Sequence, residues 1–215
     1  MLSRWKTESR PATPASGRQG AGLTRNSNGL EQFFASLQDR EGLSILDFSG
    51  ASQANISFIT NLGHRIYSED VVGTIEEVFG KNGATLESQS DEARVSEFLS
   101  QTLDFHDGAF DGALVWDTLQ FLSPQLVEAV VDRLHRILRP NAMLLAFFNA
   151  NEKVHAVPVY SYRIADSKTL SLTTRGERAT GQFFNNRTIE KLFQRFHSVK
   201  FFLTRDNLRE VIVRR

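Results

Sequence analysis

The sequence predicts an α/β protein built on a doubly wound, mostly parallel sheet, with helices on both faces and an antiparallel C-terminal edge. Three observations carry this. Short apolar runs alternate with segments of helical period between residues 43 and 149. The run at 142–149 is continuously apolar, as expected of a strand buried on both faces at the centre of a parallel sheet. After residue 150 strand-like segments dominate and connections shorten, which implies antiparallel neighbours.

Residues 1–28 are rich in Ser, Thr, Pro, Gly and Arg and lack periodic apolar positions, so they are expected to form a flexible tail preceding a domain at 29–215. Trp5 is the one tail residue expected to be able to dock. Leu30, Phe33, Phe34 and Leu37 recur at helical spacing. A buried strand is predicted at 44–48, then a helix at 52–62 closed by Gly63. A second strand is predicted at 64–68, helices at 71–79 and 91–101, and a strand at 111–116. In the helix at 123–138, Ser123 is placed to cap and Pro124 occupies the first position, where a missing N–H is harmless. Leu126, Val127, Val130, Val131, Leu134 and Leu138 form its apolar stripe. An antiparallel pair is predicted at 160–165 and 169–174, a helix at 188–196, and closing strands at 199–204 and 210–214.

The chain has 215 residues, 40% hydrophobic and 23% charged, within the range of one globular domain. It contains no cysteine, which excludes disulfides, thiolate metal sites and cysteine nucleophiles. No apolar run approaches the roughly 20 residues of a membrane span. No secretory signal is read at the N-terminus, so a cytoplasmic location is expected. The N-x-S/T matches at Asn55 and Asn186 are read as chance. The five histidines show no metal-ligand spacing, and of the seventeen phenylalanines Phe33, Phe34, Phe147, Phe148, Phe201 and Phe202 fall on elements expected to be buried, so neither a metal nor a nucleic acid is indicated. Charge is zero overall but uneven: residues 30–162 carry nineteen acids against eight Lys/Arg, and residues 163–215 carry twelve Lys/Arg against five acids.

In a doubly wound sheet, ligands bind beyond the carboxyl ends of the strands. The first of these strands opens into a helix through Asp47-Phe48-Ser49-Gly50-Ala51-Ser52-Gln53. Asp70 ends the next strand, 23 positions after Asp47, with Glu69 beside it. Leu103–Trp116 runs through Asp104 into a strand that ends at Trp116-Asp117, and Leu138-Arg139-Pro140-Asn141 joins a helix to the following strand, with Asn141 suited to a left-handed turn. In order and spacing these stretches resemble those of class I S-adenosylmethionine-dependent methyltransferases, over residues 43–149. The resemblance implies S-adenosylmethionine as cofactor, held by Asp47, Ser49, Gly50 and Ala51 at the small-residue loop. It further implies Asp70 or Glu69 on the ribose, Asp104 near the adenine and Trp116 at the reacting end. Ser49, Ala51 and Gln53 stand where that family has glycines, and Gln53 is the residue expected to obstruct the site.

For Asp70 the plain alternative is a helix N-cap. The methyl acceptor is expected in a pocket built from 116–121, 149–162 and the hairpin at 160–174. Arg163, Arg175, Arg178 and Arg187 are expected either to flank that pocket and favour an anionic small molecule, or to pair with the acidic body. A second reading is a methyltransferase-like domain that has lost catalysis and acts as a binding or regulatory module. A hydrolase nucleophile elbow at 50–54 is disfavoured because only one helix and a tail precede it, and a nicotinamide site lacks two of the glycines it requires.

Overall fold

The computed structural model describes residues 22–80, 88–151, 153–154, 156–202, 204 and 207–215. Its main sheet has six strands: β2 (Ser44–Asp47), β3 (Arg65–Ser68), β4 (Phe110–Trp116), β5 (Leu138–Asn149), β8 (Ser198–Phe202) and β9 (Leu208–Arg214). Their spatial order is β3-β2-β4-β5-β9-β8. The first four are mutually parallel, and β9 runs antiparallel to both β5 and β8. This is the doubly wound sheet with an antiparallel C-terminal edge that the sequence predicts. The first of the parallel strands, β2, lies in the interior, and every residue of β2 and β4 is buried.

Helices flank the sheet. α1 (Asn28–Ala35) packs on β5 and β9, and α2 (Gln53–Asn61) packs on β3. α3 (Val71–Phe79), α4 (Glu92–Thr102) and α5 (Pro124–Ile137) touch in succession, with α5 against β5. The caps follow the sequence: the Ser123 hydroxyl accepts from Leu126 N–H at 3.2 Å, Gly63 follows α2 at φ 81°, and Asn141 takes φ 70°. The short α6 (Asn186–Leu192) ends earlier than its apolar period suggests.

A smaller antiparallel sheet comprises β1 (Leu23–Asn26), β7 (Thr169–Ala179) and β6 (Ala156–Asp166), in the order β1-β7-β6. β1 corrects the expected tail boundary at 28. Leu23–Asn26 pairs with β7, and Ser27 accepts from Leu30 N–H to cap α1. The reason is electrostatic and long-range: Arg25 is buried against the fully buried Glu210 of β9 at 2.7 Å, and Glu210 also accepts from Gly29 N–H. The rest of the expected tail, with Trp5, lies outside the described residues. β6 and β7 are longer than predicted, and their hairpin lies across the carboxyl edge of the main sheet, touching α2.

Candidate functional site at the carboxyl edge

Asp47 ends β2 and is fully buried. Its carboxylate accepts from Trp116 Nε1 at 2.6 Å, Asn55 Nδ2 at 2.9 Å and Ser49 N–H at 2.9 Å. Burial raises its pKa and these donors pull it back. Asn55 lies in the first turn of α2. It also donates to the Tyr162 carbonyl at 3.1 Å and accepts from Ile164 N–H at 2.8 Å, so one amide ties β2, α2 and β6 together. The Tyr162 ring stacks on Trp116, with centroids 4.9 Å apart and planes 6° from parallel. Trp116 has φ 53°, an uncommon backbone for a bulky residue, held by the stack and by the bond to Asp47.

Just beyond β2, Gly50 adopts φ 75° and its N–H donates to the Glu69 carbonyl, after the neighbouring strand, at 3.1 Å, while Ser49 and Asp70 form a β-bridge. A side chain at Gly50 would be strained by that φ and would meet Asp70. Ser49, Gly50 and Asp70 are thus brought together next to Asp47, and Ala51 follows, exposed. Asp70 does act as an N-cap: Oδ1 accepts from Gly73 N–H at 3.0 Å. Its exposed carboxyl also lines a cavity of about 350 Å³ between α3 and the hairpin, with Gly73, Glu76, Val159, Arg175 and Arg178. Glu69 is half-buried, and burial raises its pKa. Gln53 is exposed and bonds to Ser57 along α2. It does not cover the loop; the residues packed over Asp47 are Asn55, Trp116 and Tyr162.

A second cavity, of about 250 Å³, opens between the ends of β4 and β5. Asp117, Gln120, Asn149, Val157, Tyr160 and Leu172 are among its walls, all within the segments expected to build the acceptor pocket. Gln120 bridges the two strand ends, its Oε1 accepting from Asn149 N–H at 3.0 Å. Asp117 is 3% exposed. Burial pushes its carboxyl up to about 7, against the opposing Tyr162 hydroxyl and its own backbone N–H. The same burial, and the Asp117 charge, raise Tyr162 well above an ordinary phenol. Pro158 and Tyr160 line this cavity and Val159 lines the first, so β6 stands between them.

Asp104 is not brought to this edge. It precedes β4 and lies exposed at the amino ends of the strands, beside Ser44, Arg65 and Arg139. The arginines do not surround the second cavity either. Arg178 is buried in an ion pair with Glu76, Arg175 lines the cavity beside Asp70, and Arg163 and Arg187 are exposed. This corrects the flanking arrangement and leaves pairing with the acidic body as the observed role of Arg178. The sequence reading missed Asn55 and Tyr162. The asparagine was visible there only as a glycosylation match, and its complete burial leaves it inaccessible to modification. Among the described residues no helix is long and apolar enough to cross a membrane, and no cluster of three metal-ligating side chains occurs.

No protein-family model matches the chain, and no curated protein matches it. Among solved structures it is similar to a SAM-dependent methyltransferase from Methanosarcina mazei, at 16% identity over 82% of this chain and 93% of that one, with a TM-score of 0.48. It is also similar to the 1,6-didemethyltoxoflavin-N1-methyltransferase of Burkholderia thailandensis, solved with 1,6-didemethyltoxoflavin and S-adenosylhomocysteine, at 13% identity over 87% and 76% of the two chains, TM-score 0.47. A third is a SAM-dependent methyltransferase from Aquifex aeolicus, at 12% identity over 86% and 88%, TM-score 0.46. At these identities and TM-scores the likenesses assign neither a family nor an activity.

Proposed function

We propose that the chain transfers a methyl group from S-adenosylmethionine to an acceptor at the carboxyl edge of its sheet. The observation that carries the reading is Asp70: an exposed carboxylate on the wall of a 350 Å³ cavity, bridged through its backbone to the small-residue loop that follows β2. One capping bond leaves most of its accepting capacity for a ribose diol. The residues around Asp70 therefore fit the nucleoside half of the cofactor. Ser49–Ala51 lie where its amino-acid half is expected, next to the Trp116–Tyr162 stack. When bound, the cofactor supplies an electrophilic methyl on a sulfonium, so the chain has to align donor and acceptor and exclude water. The acceptor cavity is the one at Asp117 and Asn149. Because β6 stands between the two cavities at Pro158, Val159 and Tyr160, alignment requires this part of the hairpin to move.

That closure favours a second reading, a non-enzymatic binding module. Stacked Tyr162 and the Asn55 bonds fill the layer over Asp47 with protein.

Calorimetry with S-adenosylhomocysteine, comparing the full chain with Asp70→Asn, separates the two. Asn caps about as well as Asp, so the fold is preserved. Hydrogen bonds to a charged acceptor contribute roughly 1.5–3 kcal/mol each. Loss of two, partly replaced by water, is expected to weaken binding about tenfold to several hundredfold. Equal affinity in the variant would leave Asp70 as a cap only. No heat with the wild-type chain would favour the binding module.

A further inference from the structure

The second cavity contains a chemical contrast that the methyl-transfer reading does not use. Two buried aspartates end adjacent strands. Asp47 accepts from three donors, whereas Asp117 Oδ2 is buried and makes no hydrogen bond of normal geometry; the Tyr162 hydroxyl that faces it is left unpaired as well, and Asp117 belongs to the cavity wall. Buried polar atoms are nearly always satisfied, and an orphan in a cavity wall points to a missing partner. The other walls are apolar or already neutral: Val157, Pro158, Leu172 and Leu208, with the carboxamides of Gln120 and Asn149. Among the described residues the lining contains no Lys, Arg or His, so Asp117 is its sole charged group. Arg25, which reaches this layer from β1, is bound to Glu210. The volume, about 250 Å³, is smaller than the ~300 Å³ at which drug-sized sites begin.

We propose that this cavity binds a small organic amine, a protonated nitrogen on an apolar body, whose N–H groups donate to Asp117 while the body packs on Val157, Leu172 and Leu208. An anion is disfavoured, because it would place like charge against a buried carboxyl with no cation in the lining. An ammonium supplies both the missing donor and the missing charge. Burial alone holds the empty carboxyl near neutral pH, and a bound cation would pull it back to the ionised form. The inference deepens the proposed function by naming the acceptor class. It rests on that reading for methylation but not for binding.

The test uses the full chain and three probes of one size: benzylamine, benzyl alcohol and benzoate, titrated at pH 7.5 and followed by amide NMR shifts. Benzylamine is expected to shift Asp117, Asn149 and Leu208 and to bind at least tenfold more tightly than benzyl alcohol, with benzoate weakest. In Asp117→Asn the advantage of benzylamine should vanish while benzyl alcohol is unaffected. Equal binding of all three probes, tightest binding of benzoate, or no shift at the cavity would overturn the inference, as would full benzylamine affinity in a folded Asp117→Asn chain. Benzylamine binding without S-adenosylhomocysteine binding would sink the methyl-transfer reading and leave this site standing. The reverse pattern would do the opposite.

Discussion

Strand β4 has a buried aspartate at each end, and the two are treated differently. At the amino end, Asp111 is 5% exposed and meets Arg139 at 2.6 Å and Arg40 at 3.5 Å, while also accepting from Ser44 N–H. At the carboxyl end, Asp117 is equally buried, has no cation among the described residues of its cavity and leaves one oxygen without a hydrogen bond of normal geometry. Same strand, same residue type and same burial give a satisfied structural carboxylate and an unsatisfied one. The difference is where the strand places them. The amino end meets Arg40, from the connection into β2, and Arg139, at the start of β5. The carboxyl end faces the crevice in which doubly wound sheets bind ligands.

Three substitutions probe this contrast. The largest effect is expected at Asn55, which holds the hairpin to the carboxyl edge. Asn55→Ala leaves Asp47 Oδ2, the Tyr162 carbonyl and Ile164 N–H short of a buried partner and should lose about 3 kcal/mol in urea unfolding. A loss under about 0.5 kcal/mol, within the range of a neutral surface change, would mean the hairpin is held by something else.

Asp117→Asn should act in the opposite direction. The folded pKa of Asp117 is raised to about 7 from 3.8, so the folded chain keeps a proton that the unfolded chain has released. Its contribution to stability is present in full below pH 3.8 and is lost as pH rises through about 7. The ceiling of that loss is about 4 kcal/mol. Asp117→Asn should therefore stabilise the chain at pH 8 by about 2 kcal/mol, half the ceiling because the amide also lacks a full set of partners. The decline of stability with pH should become shallower without disappearing, since the pKa of Asp47 is raised too. Destabilisation at pH 8 would mean that Asp117 is a structural group like Asp111.

The smallest effect is expected for Asp111→Asn, about 1 kcal/mol lost, because its arginines are half exposed and regain water when the pair breaks.

Much of the main sheet was legible because burial imposes a period. β2, β4 and the apolar stripe of α5 each bear the pattern of the surface they bury, and the residues that follow a parallel strand, such as Asp70 and Asp117, fall on the ligand-binding edge by topology. Asp104 follows the converse rule. It precedes β4 and so enters at the amino end, a consequence that motif spacing obscured. What periodicity cannot encode is contact across a long stretch of chain. β1 has four residues, of which Arg25 alone is buried, and that burial depends on Glu210, 185 positions away. The Trp116–Tyr162 stack and the threefold role of Asn55 arise only when the hairpin is laid across the sheet. These contacts, rather than Gln53 as expected, fill the space over Asp47.

The most direct test of a methyltransferase site at the carboxyl edge is where the cofactor's product binds. Amide NMR of the full chain titrated with S-adenosylhomocysteine should shift Ser49, Gly50, Asp70, Gly73 and Val159 at the carboxyl edge, with Tyr162 and Asn55 moving as the hairpin responds. Asp104 and Asp111, at the amino edge, should stay still. No shift anywhere, or shifts confined to the amino edge, would contradict the assignment of the carboxyl edge as a methyltransferase site.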